Sequence, residues 1–145
     1  MTSQLRPQRR RLHLPLLATA VLDAVMILVF STGGRESHEK ALSAVGVVQT
    51  AAPFLVGAAL GWVLAYVLVR IETPSWLRAE EFRPERILPF GIVVWISAVV
   101  VGMLLRALFH TGTAPQFIGV ATLSLCVLLL GWRAVADRVY RMFAR

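Results

Sequence analysis

Asp23 is the residue whose type and position most invite chemistry. It stands nine residues into an apolar run that starts at Leu14. At 1.5 Å per residue that places its carboxyl about 13 Å along a helix. A carboxylate at such a depth in a bilayer costs about 2.5–3.5 kcal/mol on insertion scales, so it needs a partner and an inward-facing position. One reading is a proton or cation site. The other is a structural carboxyl, neutral or hydrogen-bonded to its neighbours, and burial alone can raise a carboxyl pKa enough to neutralise it. The structural reading weighs about twice as much. Counting rise along the other apolar runs brings Trp62, Trp95, Ser97 and Ser124 to a similar depth. An indole N–H only donates, which suits a carboxylate. We therefore expect a buried polar layer in which Asp23 accepts from Trp95 or Ser97, with Trp62 and Ser124 close by.

A second polar group falls at the opposite end of the apolar runs. Arg35, His38 and Arg106 mark a candidate outer-rim site, with His110, Gln49, Thr50 and Gln116 near it. It reads either as an anion- or headgroup-binding vestibule or as a solvated rim with snorkelling arginines. The solvated rim is the simpler explanation. Lone histidines without ligand spacing give no metal site. The sequence has no P-loop, no G-x-S-x-G elbow and no H-E-x-x-H. Apart from Asp23, the acidic residues lie in loops or tails, so no catalytic residue, metal or cofactor is expected.

The elements that must hold these residues follow from composition. Of 145 residues, 57% are hydrophobic and 16% charged, against about a quarter charged in soluble domains. The apolar residues come in blocks, and a spanning helix needs about 20 of them. Four blocks qualify, at about 14–31, 42–69, 87–106 and 114–132. The second is long enough to tilt or kink, and Pro53 is the natural kink point. A buried backbone in lipid must satisfy its own hydrogen bonds, and no block alternates as a membrane strand does. The fold class is therefore all-α, an integral membrane four-helix bundle over 14–133. A basic tail precedes it at 1–13, and another follows at 134–145.

Gly33-Gly34 reads as a turn after the first span, and Thr113 with Pro115 as the start of the fourth. Thr73 to Leu77 reads as a capped turn, with Trp76 at headgroup level. Trp132, Tyr66 and Tyr140 are further members of an aromatic belt. Gly57-Ala58-Ala59-Leu60-Gly61 is a G-x-x-x-G match that favours close helix packing, internal rather than intermolecular in so small a bundle. The single cysteine, Cys126, lies within an apolar run.

Twelve of the fifteen Lys and Arg residues fall in the first tail, the middle loop and the last tail. Arg133 is counted there, with Arg138, Arg141 and Arg145. Such asymmetry puts both chain ends on the cytoplasmic side. A cleaved signal peptide fits poorly, because Asp23 interrupts the apolar run and no A-x-A site follows it. The net charge of +7 could suggest nucleic acid, but the arginines abut apolar blocks. The expected partners are the lipid bilayer and its anionic headgroups, with no nucleic acid. A homo-oligomer or another membrane protein is a further expected partner.

Several short groupings are spread along the chain: Leu22-Asp23-Ala24, Phe30 with Gly34-Arg35 and His38, Pro53-Phe54-Leu55, and Gly61-Trp62. After them come Trp95, Gly102-Met103, Arg106, Gly112-Thr113-Ala114, Phe117-Ile118 and Gly131-Trp132-Arg133. In these the chain resembles the prokaryotic membrane family called Domain of Unknown Function 3054, over about residues 15 to 135. The resemblance implies a small multi-pass protein of a prokaryotic plasma membrane. It implies no activity, and it draws attention to Asp23, Arg35, His38, Trp95 and Arg106, which carry it. The favoured function is a non-enzymatic accessory or assembly protein. The alternative is a small proton- or ion-linked transporter or channel subunit that uses Asp23. A lipid-modifying enzyme is the least supported class.

Overall fold

The structure is a computed structural model, and it describes residues 15–36, 43–72, 83–109 and 113–143. Four helices carry the chain: α1 (Leu16–Glu36), α2 (Ala44–Glu72), α3 (Ile92–Leu108) and α4 (Pro115–Phe143). All four spans are long and apolar enough to cross a membrane, the third including the turn that leads into α3. The longest candidate spans, Ala44–Ile71 and Pro115–Met142, would rise about 42 Å, more than the roughly 30 Å of a hydrocarbon core.

Hydroxyls on α1, α2 and α4 are paired along their own helix backbones. Ser31, Thr32, Thr50 and Thr122 donate their hydroxyls to the carbonyls of Ile27, Leu28, Gly46 and Ile118, four residues back. Such back-bonding lets hydroxyls sit at membrane depth without an orphaned donor. Ser43 Oγ caps α2 by accepting from the backbone N–H of Gly46 at 3.1 Å. The helices run on past three marked positions. α1 runs through Gly33 and Gly34 to Glu36. α2 continues through Pro53 as one helix. The residues after Trp132, expected as a tail, prolong α4 to Phe143. The chain stays helical there although Ser31-Thr32-Gly33-Gly34 are weak helix formers and Pro53 gives no N–H to the ladder. Thr73 to Leu77, with Trp76, lies outside the described residues.

Contacts fix an up-down-up-down bundle. Phe30 meets Phe54 edge-on at 5.4 Å, and both meet Phe117 at 6.4 Å. About two turns away, Asp23 of α1 meets Trp62 of α2 and Arg133 of α4. The start of the third span, at Gly91, lies against Arg133 and its far part, at Gly102, against Phe54. One end of the bundle therefore gathers the start of α1, the end of α2, the entry to α3 and the end of α4. We call it the terminal end.

α2 and α3 pack closest. A Cβ at Gly57 would stand 2.7 Å from the Ser97 carbonyl oxygen, and one at Gly61 2.9 Å from the Val94 Cα. The G-x-x-x-G pair thus serves internal packing, as close helix approach requires. Between the phenylalanine cluster and Asp23 lie Ile27, Ala58, Val94, Ala98, Leu125 and Leu129, all buried.

The entry to α3 is irregular. Ile87–Gly91 forms a wide helical turn in which Leu88 is extended (φ −109°, ψ 133°). The Leu88–Pro89 peptide is cis. The N–H of Gly91 reaches back five residues to the Arg86 carbonyl at 3.1 Å. This turn brings Pro84 and Gly91 beneath the last buried residue of α4.

Candidate functional site

That last buried residue is Arg133. α4 turns Ala121, Leu125, Leu129 and Arg133 inward at intervals of four, and all four are fully buried. The spacing of four keeps them on one helical face. Gly91 makes room for the arginine, since a Cβ there would stand 2.8 Å from the Arg133 Cδ.

The Arg133 guanidinium grips Asp23 with two parallel bonds. Nη1 donates to Oδ1 at 2.6 Å and Nη2 to Oδ2 at 2.8 Å. Bidentate pairing of this kind is the strongest geometry available to an Arg and a carboxylate. Arg133 also donates from Nη1 to the Leu129 carbonyl at 2.7 Å and from Nε to the Pro84 carbonyl at 3.1 Å. Its guanidinium carbon lies 4.5 Å from the centre of the Trp132 ring.

Two indoles complete the carboxylate. Trp132 Nε1 donates to Oδ1 at 2.9 Å, and Trp62 Nε1 donates to Oδ2 at 3.0 Å. A carboxylate offers about four lone-pair positions. Here four N–H groups occupy them, and the Asp23 residue is only 2% exposed. The cluster draws on α1, α2, α4 and the Pro84 carbonyl ahead of α3. The arrangement holds the two side chains in a fixed, buried geometry.

The expected partners of Asp23 are revised accordingly. Trp95 does not reach it, and donates instead to the Thr122 carbonyl of α4 at 3.1 Å. Ser97 belongs to the α2–α3 seam, 3.2 Å from where a Gly61 Cβ would stand. Ser124, half-buried on α4, is not among the donors to Asp23. Equal rise along an ideal helix gives depth but not the direction a side chain faces. Trp132 is likewise turned inward to the carboxylate rather than standing in an aromatic belt.

The rim residues lie at the other end. The Arg106 guanidinium carbon sits 4.3 Å from the centre of the Phe117 ring, on the phenylalanine cluster, so it is no partner for Asp23. Arg35 ends α1, but its side chain lies outside the described residues, as does His38. Among the described residues no His, Cys, Asp and Glu side chains group in a way that could hold a metal ion.

Arg133 and Trp132 are the site residues the sequence reading missed. The signal was present, because Arg133 continues the spacing of Ala121, Leu125 and Leu129. It was masked by the charge-asymmetry rule, which treats every arginine beyond an apolar block as solvated.

Fold and site together define a four-span membrane bundle closed near one end by a buried, indole-flanked Asp–Arg pair. The chain belongs to the family described as "Protein of unknown function (DUF3054)", whose model matches residues 20–136 and so takes in both Asp23 and Arg133. No curated protein and no solved structure matches it.

Proposed function

We propose that this protein is a small, non-enzymatic accessory or assembly component of a prokaryotic plasma membrane, with both chain ends on the cytoplasmic side. The observation that carries the reading is the saturated Asp23 carboxylate. Its four acceptor positions are filled by Arg133, Trp62 and Trp132, which leaves nothing for an ion to bind. An ion-linked site needs an acceptor that exchanges ligands, and a doubly bonded guanidinium opposes that exchange. The cytoplasmic assignment rests on the Arg asymmetry, which persists when Arg133 is removed from the count.

Two measurements test the proposal. Purified protein in proteoliposomes should give no proton or cation flux above empty vesicles. Crosslinking in the native membrane should capture one stoichiometric partner, either another membrane protein or further copies of the chain. A flux that Asp23→Asn abolishes, with the fold intact, would instead establish a transport subunit.

A further inference from the structure

The residues of α4 from Ala134 to Met142 divide into three lengthwise stripes. Arg133, Ala136 and Tyr140 share the inward stripe, and Tyr140 lies within electrostatic reach of Glu85. Val135, Val139 and Met142 form an outward apolar stripe, 64%, 42% and 70% exposed. Ala134, Asp137, Arg138 and Arg141 form the stripe beside it, also exposed. A helix with apolar and basic stripes side by side suits the boundary between acyl chains and headgroups.

Its surroundings carry the same chemistry. Ile71 of α2, 75% exposed, and Met142 belong to the exposed apolar surface at the terminal end. Arg70 adjoins Ile71 and Arg141 adjoins Met142, so both arginines border exposed apolar surface at this end. Arg83 and Arg86 lie in the segment that enters α3. Among the described residues whose side chains are placed, the acids at this end besides the buried Asp23 are Asp137, bonded to Arg141 at 2.7 Å, and Glu85, 3.5 Å from Arg83. Arg70 donates from Nε and Nη2 to the Tyr66 hydroxyl.

We propose that the end of α4, with Arg138 and Arg141 flanking its apolar stripe, is a docking surface for anionic phospholipid headgroups. The apolar stripe takes the acyl chains, and the arginines, supported by Arg70 and Arg86, take the phosphates. The surface is independent of the accessory role, because it uses no residue of the Asp23 cluster.

The test titrates the full-length protein in neutral detergent with phosphatidylglycerol or phosphatidylcholine and counts bound lipid by native mass spectrometry. Phosphatidylglycerol should bind several-fold more tightly, and added salt should erase the difference. Arg138→Gln with Arg141→Gln should weaken phosphatidylglycerol by roughly tenfold. Arg106→Gln, at the far end, should leave it unchanged, and Arg138→Lys with Arg141→Lys should retain it. Equal affinity for the two lipids overturns the proposal. So does displacement of the lipid by millimolar inorganic phosphate, or a loss that the lysine pair shares.

Discussion

Asp23 and Arg133 each carry a charge that hydrocarbon rejects, and each removes the other's penalty. Breaking a buried pair by deleting one partner costs about 3–5 kcal/mol, because the survivor is left uncompensated. Asp23→Asn and Arg133→Gln should therefore each lower the melting temperature in detergent by several degrees or more. The double variant Asp23→Asn/Arg133→Gln should melt above at least one of the singles. Strictly additive losses in this cycle would mean that the two side chains do not act as a pair. The indoles should be graded by what they donate to. Trp62→Phe and Trp132→Phe each remove a bond to a charged oxygen, worth about 1.5–3 kcal/mol. Trp95→Phe removes only a bond to the Thr122 carbonyl and should cost about 1 kcal/mol. Thermal unfolding of the three variants checks the order, and a larger loss for Trp95→Phe would contradict it.

Among the elements, the tightest seam is α2 against α3, and it rests on glycines that admit no side chain. Gly57→Ala would press a methyl group against the backbone of Ser97 and Ala98, which cannot swing aside. Gly102→Ala would instead meet the Phe54 ring at 2.5 Å, where the phenylalanine cluster offers little slack. Both should destabilise by about 1–3 kcal/mol through overpacking. Gly119 and Gly131 of α4 have nothing within 4 Å of the added atom, so alanine there should hold or raise the melting temperature through helix propensity alone. Unfolding of the four alanine variants should separate into these two pairs. The seam was legible as a G-x-x-x-G spacing, and the spans as apolar blocks, because both patterns are local. The partners of Asp23 were not, since equal depth on separate helices leaves the facing of each residue open. Arg133 lies 110 residues from Asp23 in the chain, and only the bundle's topology joins them.

Taken as a whole, the molecule has a buried charged pair that spans its first and last helices. While the chain is being made, Asp23 enters the bilayer in α1 well before Arg133 exists. A carboxylate held alone there costs about 2.5–3.5 kcal/mol, and α1, with about 19 candidate spanning residues, has little length to spare. The first span is thus the marginal one until the fourth arrives, and Arg133 stabilises its residence from across the bundle. Arg133→Leu in the full chain should then reduce the amount of protein retained in the membrane several-fold, with α1 becoming sensitive to added protease. Asp23→Asn placed on top of Arg133→Leu should restore much of that amount, because asparagine costs far less than an unpaired carboxylate. Arg138→Leu, five residues further along the same helix but exposed, should have no such effect. Quantitative immunoblotting of membrane fractions from the three variants reads the result. If Arg138→Leu fell as far as Arg133→Leu, basic charge at this end of α4 would matter in general, and the pair would hold no special place in assembly.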